Sequence, residues 1–244
     1  MSQVGTIFRR EFASFFATPV AYVFITIFLV LSGVFSFFIG QLYERGQADL
    51  LPFFNFHPWL YLFLVPAIAM RSWSEERKSG TIELLMTLPV TTTQAVLGKF
   101  FAAWAVLGLS LLLTFPLWLT VNYLGNPDNG IIVAAYLGSW LMAGGFLAIS
   151  LCMSALTKNQ VVAFILAIVV CFIFVLSGSG VVLDAFQGWA PSIVLDTVAS
   201  FSFLTHFEAM AKGVLALNDV AYFLIVMVIW LVANHMVISQ KKAD

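Results

Sequence analysis

Apolar residues in this chain gather into long uninterrupted runs, with charged residues standing at the edges of the runs. Between successive Asp, Glu, Lys and Arg positions, six gaps can hold the ~20 apolar residues that a helix needs to cross a hydrocarbon core. They run from Phe12 to Tyr43, Leu50 to Met70, Phe100 to Pro127, Asn129 to Thr157, Asn159 to Leu183 and Val220 to Gln240. A charge at the bilayer centre costs roughly 2.5–3.5 kcal/mol on insertion scales, so the pattern predicts six transmembrane helices. Trimmed by polar and turn-forming residues, these fall near 20–41, 53–72, 95–121, 131–156, 160–177 and 220–238. Asn126-Pro127-Asp128-Asn129-Gly130 predicts a tight turn that makes a hairpin of spans three and four. Pro66 and Pro116 lie within spans two and three, where each removes a backbone donor and should kink or rearrange its helix.

Two further segments have a pattern of their own. Over residues 1–18, Val4, Ile7, Phe8, Phe12, Phe15 and Phe16 recur at spacings of three and four, with Gln3, Arg9, Arg10 and Ser14 on other faces. This predicts an amphipathic helix in the inner interface, separated from span one by Pro19. The segment 178–218 carries Asp184, Asp196, Glu208 and Lys212, too polar to span. Its Phe186, Trp189, Phe201, Phe203 and Phe207 make it too apolar for a solvated loop. It reads as a re-entrant element in the outer leaflet, its Trp189, Phe201, Phe203, Phe207 and Glu208 either closing a path or anchoring the loop.

Composition agrees with a lipid solvent. Of 244 residues, 61% are hydrophobic and 9% charged, where soluble domains carry about 25% charged residues. The fold class is therefore an all-α membrane protein in a single domain, 1–244. A net charge of -1 leaves no polybasic footprint for nucleic acid. Nine of the eleven basic residues fall on the side shared by both termini, leaving Arg45 and Lys212 opposite, so both termini are expected in the cytoplasm. The first apolar run exceeds a secretory h-region, which predicts an anchor rather than a cleaved signal.

Chemistry is sparse. No phosphate-binding loop is present, so any ATP and Mg would be bound by another subunit. Cys152 and Cys171 sit in apolar runs and read as core residues. The spacing of His57, His206 and Glu208 resembles no metal-ligand motif. Ser110, Ser150, Ser154 and Ser177 have no intramembrane His or Asp beside them, which argues against an intramembrane hydrolase. An ion-coupled secondary transporter is the main alternative, although such carriers place acids or His in the membrane interior.

The one charge-dense stretch runs from Arg71 to Val90. Gly80 permits a helix to stop, Thr81 can cap the next, and Glu83 suits the positive end of its dipole before Pro89 ends it. By physics alone, this short apolar helix either lies on lipid or docks into a partner. The run Glu76-Arg77-Lys78-Ser79-Gly80-Thr81-Ile82-Glu83-Leu84-Leu85, with Leu88-Pro89-Val90 and Gly98-Lys99 after it, resembles the signature of type-2 ABC exporter permeases. His206-Phe207-Glu208 through Lys212-Gly213-Val214-Leu215 and Asn218-Asp219 resembles the branch holding the gliding-motility and nitrous-oxide-reductase-maturation permeases. The resemblance implies a bacterial inner-membrane subunit whose coupling loop, 74–91, contacts a cytoplasmic ABC ATPase through Glu76, Arg77, Gly80, Thr81, Ile82, Glu83, Leu84, Leu85 and Pro89. It also implies pairing with a second copy or a related permease, and an auxiliary membrane protein with a periplasmic domain.

Overall fold

A computed structural model describes residues 3–81, 90–187 and 191–240 of the chain, and every regular element among them is helical. The helices are α1 (Gln3–Ala17), α2 (Val20–Val34, continued by a π turn Phe35–Ile39), α3 (Leu51–Asn55), α4 (His57–Ala69) and α5 (Arg71–Ser79). After them come α6 (Thr92–Leu112), α7 (Phe115–Leu124), α8 (Asn129–Leu156), α9 (Gln160–Leu176), α10 (Gly180–Gln187), α11 (Ser192–Ser200), α12 (Phe203–Ala211) and α13 (Leu217–Gln240).

Among the described residues, four stretches are long and apolar enough to cross a membrane: Val20–Ile39, Thr92–Leu124, Asn129–Leu156 and Leu217–Gln240. The fifth predicted span is the 17-residue α9, and the second is divided among α3, α4 and α5. That division has a local cause. At Met70, the Ser154 hydroxyl of α8 accepts the N–H groups of Trp73 and Ser74 and donates to the Met70 carbonyl. A side chain inserted into the helical ladder is a standard cause of a break. The third predicted span, within Thr92–Leu124, is likewise interrupted between Leu112 and Phe115, where Pro116 occupies the first turn of α7.

The hub is α8. Asp128 caps it by accepting from Gly130 and Ile131, and its small residues, Gly144, Gly145, Ala148, Ser150, Ser154 and Ala155 among them, let neighbouring helices approach closely. It packs against α4, α5, α6, α9, α12 and α13. Trp104 of α6 and Trp140 of α8 stack at 4.1 Å and exchange indole N–H bonds with each other's carbonyls. The outward faces carry exposed Val30 and Phe38, Ile165 and Val169, Ile225 and Val228. Contiguous apolar surface of this kind suits lipid rather than water.

Between α9 and α13 the chain folds into three short helices rather than a span. Ser202 caps α12 by accepting from Thr205, and α12 lays Phe203, Phe207 and Met210 against the hub.

Candidate functional site

The polar chemistry concentrates where α1, α5 and α6 meet. Helix α5 opens with Arg71, whose Nε donates to Glu75 at 2.8 Å one turn on. It ends at Gly80, in the left-handed region at φ 75°, where a side chain would be strained. Its inner face buries Trp73 and Ser74 against α8. Three residues beyond Ser74, Arg77 donates to the carbonyl of Ala155 at 2.7 Å, satisfying an acceptor in the last turn of α8.

Lys99, in the second turn of α6, is only 3% exposed. A buried ammonium needs acceptors for its three donors. It has Glu76 Oε1 of α5 at 2.8 Å, Glu11 Oε2 of α1 at 3.2 Å, and the Trp73 ring, whose centre lies 5.0 Å away. Three helices are thereby tied to one charge. The neighbouring Gly98 makes this possible: a Cβ there would stand 2.6 Å from Ile7 Cγ2, so only glycine lets α1 lie this close to α6.

A cavity of about 690 Å³ opens beside the junction, lined by Arg10, Glu11, Arg71, Glu75, Glu76 and Lys99 together with apolar Phe15 and Ile68. Burial would raise the Glu11 carboxyl, but Lys99 and the Arg10 hydrogen bond outweigh it and hold the pKa below the usual value. The Arg71 hydrogen bond lowers Glu75 in the same sense.

Of the residues that the sequence assigns to coupling, Glu76, Arg77 and Gly80 converge here, with Glu76 and Arg77 turned inward onto Lys99 and α8. Thr81 lines the cavity and lies within hydrogen-bond distance of Ser79 Oγ and the Glu76 carbonyl. Ile82, Glu83, Leu84, Leu85 and Pro89 lie outside the described residues, as does Trp189. The other outer residues do not form one cluster. Phe203 is fully buried, edge-on to Phe146 at 4.8 Å, and Phe207 is buried beside α8. Phe201 is exposed, and Glu208 pairs with Lys212 at 3.7 Å on the surface.

Glu11 and Trp73 escaped the sequence reading. Glu11 is one helical turn from both Ile7 and Phe15, an acid on the apolar stripe of α1, and an acid so placed calls for a buried cation. A second group has no sequence signal at all. His57 Nδ1 and the Tyr61 hydroxyl both meet Ser139 Oγ at 2.8 Å, all three fully or nearly fully buried. Cys152 and Cys171 are buried free thiols. Among the described residues no three His, Cys, Asp or Glu side chains are grouped to hold a metal.

No curated protein matches the chain. Residues 60–239 match the family model described as ABC-2 family transporter protein, a stretch that contains Trp73, Glu76, Lys99 and the whole hub helix while leaving α1 outside. That match covers well over half of the sequence, its apolar helices are those of a multi-pass membrane protein, and the chain belongs to the ABC-2 family of transporter proteins, as the permease component of an ABC transporter.

Proposed function

We propose that this chain is the membrane subunit of a type-2 ABC exporter, driven by ATP that a separate cytoplasmic ATPase subunit binds with Mg. The observation that carries the reading is the ionic junction at Lys99. It joins α1, α5 and α6 where the charge-dense segment leaves the membrane, so force applied to 74–91 would reach the hub through Arg77 and α6. A short coupling helix over 81–88 would dock in the ATPase and transmit its closure, with Gly80 as the hinge. Glu76 and Arg77 would hold the base of that helix rather than touch the ATPase themselves.

Six spans make half a pathway in this reading. The short α9 is counted as the fifth span, since 17 residues is the lower limit for crossing, and α3–α5 as the second. Two copies, or this chain and a related permease, would pair in the bacterial inner membrane with termini in the cytoplasm. An auxiliary subunit with a periplasmic domain would complete the complex, as in the gliding-motility and nitrous-oxide-reductase-maturation branch. The outer helices would close the far end of the path, Phe203 and Phe207 from within and Phe201 at the rim.

One observation favours a second reading. The buried His57–Ser139–Tyr61 group is a polar site of the kind an ion-coupled secondary transporter needs. Purification of a tagged copy separates the two. Co-elution of an ATPase whose hydrolysis rate depends on this chain supports the exporter. Substrate movement by the lone chain under an ion gradient, without ATP, overturns it.

A further inference from the structure

His206, on α12, has both ring nitrogens engaged. Its Nδ1 lies 2.7 Å from Asp219 Oδ1 in the first turn of α13, and its Nε2 lies 3.0 Å from the carbonyl oxygen of Ser200 at the end of α11. The ring also stacks on Tyr222 at 3.9 Å and 21°. Tyr222 in turn donates to the carbonyl of Phe201 at 2.5 Å, so the last turn of α11 is gripped twice by α12 and α13.

A carbonyl and an ionised carboxylate can only accept hydrogen bonds. A neutral imidazole carries one N–H and can satisfy one of the two, whereas an imidazolium satisfies both. The Tyr222 face is a further favourable neighbour for a cation. We infer that the α11–α12–α13 junction is a proton-operated clamp, closed when His206 is an imidazolium and loosened when it is neutral.

The charges around the ring support this assignment. Asp219 and Tyr222 face it from α13, and α11 presents the Ser200 carbonyl. On its own helix Glu208 and Lys212 pair with each other at the surface. Helices α3, α8 and α9, against which α12 packs, contain no charged residue. Asp219 is therefore the carboxylate that holds the cation, and it is only 13% exposed.

The direction of the response follows. The two acceptors can both be satisfied only while the ring carries both protons, so the second hydrogen bond is lost when the ring gives one up. The release frees α11 first, because its hold is the carbonyl bond, while the remaining N–H stays with the carboxylate.

The clamp itself rests on geometry. Its facing the outer compartment rests on the orientation proposed above, and the two are tested separately. In the full-length protein in nanodiscs, nitrogen NMR of the labelled histidines is expected to show both His206 nitrogens protonated at pH 5.5. A bare nitrogen at that pH overturns the clamp. Amide exchange over 192–206 is expected to quicken about tenfold between pH 5.5 and 8 beyond the intrinsic effect of pH, the worth of one charge-assisted bond. Asp219→Asn should move the transition to lower pH, and His206→Phe should give fast exchange throughout. Exchange that ignores pH in the native chain, or an H206F variant that keeps the native profile, overturns the proposal. In sealed vesicles, a response to pH inside rather than outside would reverse the orientation and leave the clamp standing.

Discussion

Lys99 Nζ donates to Glu76 Oε1 at 2.8 Å, joining the first turns of α6 to the helix that carries the charge-dense segment. With Glu11 on the opposite side, one buried cation lies between two carboxylates. Removing it leaves Glu76 without its cation and Glu11 with Arg10 alone, which is costlier than never having built the pair.

Lys99→Met is therefore expected to destabilise the protein by about 3 kcal/mol. Adding Glu76→Gln should recover part of the loss, because the double variant no longer buries that lone carboxylate. Thermal unfolding of the purified single and double variants checks this. Strict additivity would show that the two side chains act independently.

The approach of α1 to α6 depends on Gly98. Gly98→Ala places a methyl group 2.6 Å from Ile7 Cγ2 and should cost about 1–3 kcal/mol as α1 is pushed away. Ile7→Ala on that background should recover little, because Ile7 Cβ itself stands 2.7 Å from the added methyl group, whereas Ile7→Gly should return the protection of α1 from protease. A stable G98A single variant would mean that the close approach is not needed.

At Gly80 the space is open but the backbone is not. Among the described residues, no atom beyond its chain neighbours lies within 4 Å of a Cβ built there, yet φ is 75°. Gly80→Asn should thus be tolerated, while Gly80→Val should carry roughly 1–2 kcal/mol of strain and uncouple ATP hydrolysis from transport without preventing insertion. Parallel assays of hydrolysis, transport and membrane abundance distinguish the two variants.

Acid should loosen the junction. The Glu11 carboxyl is held below its ordinary pKa, so its contribution is complete near neutrality and is lost as pH falls through the folded-state value. Melting temperature is expected to drop on acidification toward pH 4, and Glu11→Gln should remove that part of the slope. An unchanged slope in E11Q would assign the acid sensitivity elsewhere.

Ser154 supports the helix break at Met70 with one hydroxyl that serves three backbone groups. Ser154→Ala leaves those groups short of partners in a buried setting and should cost about 1–3 kcal/mol. Ser154→Thr, which keeps the hydroxyl, should cost less, as compared by unfolding in the same detergent.

Much of this protein was legible along the chain. Asp128-Asn129-Gly130 marked the start of α8, and Pro19 marked the gap between α1 and α2, because capping and proline effects are local. Gly80 was legible as a helix stop for the same reason. The role of Glu76 was not. The motif placed it among the coupling residues, but its partner stands 23 residues away on α6, a distance that local pattern does not reveal.

By itself, the sequence determined that the chain is helical and apolar and where its charges gather. Helix formation and exclusion of charge from lipid depend on nearest neighbours and composition, and both can be read in order. Only the tertiary structure decided that Glu11, Glu76 and Trp73 share one lysine, that Ser154 breaks a helix it does not belong to, and that His206 stands between two acceptors. Those pairings arise because small residues on α6 and α8 let distant helices touch, and a buried polar group must then find its partner among whatever the packing brings near.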